Sequence, residues 1–166
     1  MAKPTLKVTK DLVSNFNDLI KSLKDEQVLV GIPESKSARK QAEENNGVTN
    51  AFLLMINEKG SELNHIPDRQ PMAKGIRLAK NEIAEQFKKC AQNVLSSGKQ
   101  AINIYFNRAG FIASSSIKNV ITNQIDIEPP SKATMIARKY LGIKSEKALI
   151  VTGEMRNAIT HVVRSK

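Results

Sequence analysis

The chain has 166 residues, 40% hydrophobic and 25% charged, a balance that suits one globular domain and argues against wholesale disorder. Aromatic residues make up 4%, tryptophan is absent and Cys90 is the only cysteine, so the core has to be aliphatic, and an internal disulfide or a multi-cysteine metal site is excluded. The net charge is +10, and residues 131–166 hold eight Lys or Arg against two Asp or Glu, a distribution that attracts polyanions or an acidic protein surface.

A single domain over 1–166 is expected, with residues 1–8 a loose polar lead. Leu12, Val13, Phe16, Leu19, Ile20 and Leu23 fall on one stripe of a helix, with Thr9 or Asp11 as cap. Val28-Leu29-Val30-Gly31-Ile32-Pro33 is β-branched and closed by Gly and Pro, which predicts a strand. Residues 34–49 are polar and contain Asn46-Gly47, reading as an extended exposed loop, a candidate arm that orders on assembly. Asn50 is placed to cap a helix from Ala51 to about Glu58, with Gly60 beyond its end. The longest apolar run, Ala51 to Ile56, is far short of the ~20 residues that span a bilayer. The basic start lacks the apolar stretch of a secretory signal.

Met72, Ile76, Ala79, Ile83, Phe87, Ala91 and Val94 predict a helix of about six turns ending at Ser96-Ser97-Gly98. A further apolar series from Ile102 to Ile125 reads first as helix. Gly110 and Ser114-Ser115-Ser116 argue for a break near Gly110, and the β-branched stretch 117–127 contributes to the expected sheet. Pro129-Pro130 is a boundary. Ser131 then caps a short helix from Lys132 to Leu141, stopped by Gly142. Glu154 to Ile159 reads as one or two helical turns and Thr160 to Val163 as the last strand.

Reactive constellations do not emerge. His65 and His161 lie in dissimilar contexts without a zinc spacing. Cys90 follows Lys88-Lys89, whose charge would lower a thiol pKa, but its mid-helix position beside Ala91 favours a buried structural role. Serines form no nucleophile elbow and the eight glycines form neither a phosphate loop nor a dinucleotide fingerprint. Glu43-Glu44 and the Glu58/Glu62 pair read as solvated carboxylates. The expectation is a non-enzyme with no catalytic residue, no metal and no cofactor. Arg138, Lys139, Lys144, Lys147 and Arg164, with Arg156 and Lys166 nearby, are candidates for contact with a polyanion or an acidic partner. No helix-turn-helix, zinc-finger or aromatic RNA-binding signature accompanies them.

Two segments go further. The first is Asn57-Glu58-Lys59-Gly60 followed by Ile66-Pro67-Asp68-Arg69-Gln70-Pro71-Met72 and a long helix. The second is Leu149-Ile150-Val151-Thr152-Gly153-Glu154-Met155-Arg156-Asn157-Ala158-Ile159. In this order they resemble the tail-completion or neck proteins of tailed bacteriophages, the Mu-type virion morphogenesis proteins and minor tail components. That family shows Glu-aromatic-Gly, then Ile-Pro-x-Arg-Pro-Phe entering a helix, and later a Thr-Gly-x-Leu-Arg-x-Ser-Ile segment. The present chain departs from it at Lys59, at the inserted Gln70 and at Met72. Ser131, Thr134 and Arg138 also look like the family's polar helix before the Thr-Gly motif.

The motif residues are Glu58, Gly60, Ile66, Pro67, Arg69, Pro71, Thr152, Gly153, Met155, Arg156 and Ile159, and their chemistry is structural. Pro71 suits the first turn of a helix, Arg69 can pair with a carboxylate or carbonyl, and Gly153 permits backbone that other residues resist. Thr152 can cap the next turn, and Met155 and Ile159 share a face. The expected fold is α+β, a small antiparallel sheet from 28–33, part of 117–127 and 160–164 with helices on one face. The resemblance implies a subunit of a homo-oligomeric, six-fold ring in the virion neck, assembled in the host cytoplasm. Such a ring would lie between the head connector or stopper and the tail tube, with DNA passing through its lumen and no membrane involved. Alternatives are a tail terminator capping the tube and a basic nucleic-acid-binding module.

Overall fold

A computed structural model describes residues 12–39 and 47–166. Their elements in chain order are α1 (Leu12–Asp25), β1 (Glu26–Gly31), a 3-10 turn (Glu34–Lys36), α2 (Asn50–Lys59), α3 (Pro71–Ser97), α4 (Lys99–Asn123), α5 (Lys132–Tyr140), α6 (Glu154–Ala158) and β2 (Thr160–Ser165). The fold is α+β: a two-stranded antiparallel sheet against a helical hairpin.

The hairpin dominates. α3 has 27 residues, roughly 40 Å at 1.5 Å per residue. Gly98 at φ +59° both ends α3 and begins α4. A left-handed residue is cheapest as glycine, so one position turns the chain back on itself.

α4 is the centre of the molecule. It buries Ile102, Phe106, Ala109, Gly110, Ala113, Ile117, Val120 and Ile121, a 3.6-residue stripe broad enough to face both α3 and the sheet. Ile117, Ile121, Leu54, Met155 and Ile159 form one core, with Val30 and Met72 packed against it. Cys90, Val94, Ile102 and Phe106 form a second beneath Leu19, Leu23, Val28 and Val163. Each fully buried Ile or Val contributes about 1.5–3 kcal/mol relative to exposure.

Small residues let these elements approach. A Cβ on Gly75 of α3 would lie 2.6 Å from Ile117 Cα, and one on Gly110 of α4 would lie 2.5 Å from the His161 ring of β2. Gly110 and the serines therefore do not break α4, which runs unbroken through them. Ser114 donates to Phe111 O and Ser116 to Gly75 O, so each hydroxyl is satisfied inside the packing.

The third strand expected within 117–127 is likewise corrected. Residues up to Asn123 are helical, because Ile117, Val120 and Ile121 bury completely at helical spacing, and that burial overrides their β preference. The sheet is β1 with β2 alone, from Glu26 opposite Ser165 to Gly31 opposite Thr160. Val28 and Val163 turn inward and Leu29 and Val162 outward.

Asn50 does not cap α2. The cap of α2 is Thr49, whose hydroxyl accepts from Phe52 N, and Asn50 is the first helical residue, buried at 3% exposure. Its N–H donates to Ser37 O and its side-chain amide to Ala38 O, tying α2 to the segment after β1. Of the loop read at 34–49, residues 40–46 lie outside the described residues, as do residues 1–8 and the proposed caps Thr9 and Asp11. Ser131 caps α5 as expected, accepting from Thr134 N at 3.2 Å.

Candidate functional site

The two motif segments meet. The first builds the entry to α3. Gly60 at φ +72° sits where a Cβ would come within 3.0 Å of Asp68 N, and Ser61 and Ile66 pair across the turn that follows. Pro71 occupies the first turn of α3, where its missing N–H leaves no orphan. The Glu58 carboxylate takes the next two donors, Met72 N at 2.8 Å and Ala73 N at 3.0 Å, and Lys74 N donates to Gln70 O. The whole first turn is thereby satisfied, by an anion at the positive end of a helix. Glu58 is thus a cap supplied by the preceding helix rather than a solvated carboxylate.

Arg69 ties this entry to the second half of the chain. Its Nε donates to Glu128 O and its Nη1 to Asn57 Oδ1, both at 3.0 Å, fulfilling the carbonyl partnership expected of it. Asn57 O in turn accepts from Arg69 N and Gln70 N. Lys74 pairs with Asp126 at 3.2 Å.

The second segment is held by a side-chain amide. Gln124 Nε2 donates to Ala148 O and Gln124 Oε1 accepts from Ala148 N, which imitates one rung of a strand pair. Leu149 follows at φ +63°, a conformation that costs a non-glycine residue of order 1–3 kcal/mol and turns its side chain onto the core. Gly153 has φ +81° and is itself the cap position of α6. Thr152, the residue before it, accepts from Glu154 N, the first residue of α6, at 3.4 Å. Met155 and Ile159 both enter the core. Arg156 donates to Thr122 Oγ1 and Asn157 Oδ1.

Between the segments lies a cavity of about 530 Å³. Ile66, Pro67, Arg69, Thr152, Gly153 and Met155 line it, which places six motif residues on one concavity. Arg138 joins them, with Nη1 donating to Ser145 O and Lys147 O at 2.9 Å. Burial pushes the Arg69 guanidinium below its ordinary pKa; the Glu128 carboxylate opposes that shift and the Arg138 charge adds to it. Arg39 and Asn50 complete the wall; no sequence motif marks Arg39, and the sequence around Asn50 points only to a helix cap.

Of the expected basic residues, Arg138 and Arg164 line different concavities. Arg138, Lys147 and Arg156 spend donors on the fold, Lys147 reaching Thr122 O at 2.8 Å. Arg164 and Lys166 line a different concavity with Asp25, Glu26 and Lys99. Lys139 and Lys144 are exposed. His65 borders the motif cavity and His161 packs against Gly110. Cys90 is 1% exposed, and burial raises its thiol pKa, which outweighs the neighbouring lysines. Among the described residues no group of three His, Cys, Asp or Glu is placed to hold a metal ion, and no helix is long and apolar enough to cross a membrane.

Comparison with protein families, with curated proteins and with solved structures finds no match to this chain.

Proposed function

We propose that this chain is a structural subunit of a tailed-phage virion, a tail-completion or neck protein that assembles as a closed ring. The observation that carries the reading is the convergence of the two resembling segments. Far apart in sequence, they meet in one core, where Met72 packs against the cluster of Met155 and Ile159, and they line one cavity through Ile66, Pro67, Arg69, Thr152, Gly153 and Met155.

Exposed apolar side chains fit the same reading. On α5, Ile136, Tyr140 and the adjoining Leu141 are 58%, 88% and 75% exposed, although this helix is amphipathic. Large apolar residues left in water mark contacts made elsewhere. A ring requires two different complementary faces on each copy, and α5 offers one.

Electron microscopy and sedimentation of the purified chain test this. The expected result is a ring or a concentration-dependent oligomer, and phage lacking the gene should leave heads and tails unjoined. A chain that stays monomeric and never enters particles overturns the proposal. A terminator role differs in outcome: tails of uncontrolled length would accumulate. The nucleic-acid reading draws on the net charge of +10, and it requires affinity that falls steeply with salt.

A further inference from the structure

The motif cavity carries unused chemistry. Two of its polar atoms are buried without a hydrogen-bond partner among the described residues, Arg39 Nε and Asn50 Oδ1. One is a donor and the other an acceptor. Leaving such a group without a partner costs about 1–3 kcal/mol, and a ligand that offers both an acceptor and a donor would satisfy the pair. Arg69 and Arg138 stand in the same wall, each with its Nη2 left over among the described residues after the bonds already named.

The rest of the lining narrows the ligand. Leu53, Ile56 and Met155 give an aliphatic floor. Glu128 and Glu154 stand at the wall and would repel a polyphosphate more strongly than a single carboxylate, and no Phe, Tyr or Trp among the described residues lines the cavity to stack a base. A peptide group supplies one N–H and one C=O together. A carboxylate matches a guanidinium fork, and the volume lies within the range of sites that enclose a drug-sized ligand.

We propose that this cavity is a receptor site for a short acidic peptide segment of a partner protein. Its Asp or Glu carboxylate would be taken by Arg69 and Arg138, its main-chain amide by Arg39 Nε and Asn50 Oδ1, and an adjacent aliphatic side chain by Leu53, Ile56 and Met155. The net charge of +10 would steer such a segment toward the protein. The cavity's chemistry holds whether or not the chain builds a phage neck, so ring formation and peptide capture can fail separately.

The test is an array of N-acetylated hexapeptides, each carrying two Asp or Glu and two Leu or Ile, probed with the full chain. A matched array carries Asn and Gln in place of the acids. The expected result is a binding subset that weakens at least tenfold on the amide array. Arg39→Gln should weaken the same peptides about tenfold, and Asn50→Asp should do so by placing a like charge against the ligand. Arg39 has no described role in the fold, and an unchanged melting curve for Arg39→Gln would separate loss of binding from loss of structure. If either substitution unfolds the chain, the Nε–H NMR signals of Arg39 and Arg69 in the unsubstituted protein decide: they must move on adding a binding peptide. Absence of acid-dependent binders, binders indifferent to Arg39→Gln with those signals still, or an oligonucleotide that displaces the peptides would overturn the assignment.

Discussion

Glu58 shows how a residue's role depends on what the fold brings to it. In sequence it is one carboxylate among several near a helix end. In the structure its two oxygens satisfy two orphan N–H groups of another helix. Glu58→Ala should therefore destabilise the chain by about 1–2 kcal/mol, the upper range of helix-cap losses, and Glu58→Gln by less, because one acceptor oxygen remains. Urea denaturation of the two variants checks this, and equal losses would show that the carboxylate's hydrogen bonds are not the cause. Arg69 and Pro71 were legible beforehand because their chemistry is local: a fixed φ and a fork of donors. Arg39 and Asn50 were not, because a buried atom without a partner is a tertiary fact that no local pattern announces.

At the scale of elements, small residues hide the most structure from a local pattern. α3 was legible because its apolar stripe repeats without interruption. In α4 the same kind of stripe is crossed by Gly110 and three serines, and propensity alone argued for a break. Gly110 and Ser116 are instead where α4 meets β2 and α3 closely. The β-branched run after Ser116 misled for a related reason, since burial on both sides of a central helix decides its conformation. In an exposed helix, Gly→Ala would stabilise by about 1 kcal/mol. Gly75→Ala and Gly110→Ala should both destabilise, by about 1–3 kcal/mol as overpacked cores do. Gly75→Ala should be the worse, because it meets the Ile117 backbone while Gly110→Ala meets a side chain. His161→Ala should recover part of the Gly110→Ala loss in a double-mutant cycle, and a coupling of zero would contradict the contact.

At the scale of the molecule, Cys90 reports on the integrity of the core. It is buried with Val94, Ile102 and Phe106 under α1 and both strands, so a thiol reagent reaches it only when these separate. Modification by a disulfide reagent should be slow in the folded chain and should accelerate along the same denaturant curve as the loss of helix. Rapid labelling under native conditions would refute the packing. Its raised pKa also has a sign. The folded state favours the neutral thiol, so this contribution is complete below the unfolded thiol value of about 8.5. It is lost as pH climbs through the raised folded value.

The strand pair has a mechanical corollary. Glu26 faces Ser165 at one end of the ladder and Gly31 faces Thr160 at the other, so a load drawing Glu26 and Ser165 apart would peel the rungs singly instead of shearing them together. The α3–α4 hairpin joins sequence neighbours through Gly98 and does not depend on that ladder for its connection. The sheet is then a zip fastener, the part that tension opens first while the helical pair stays shut.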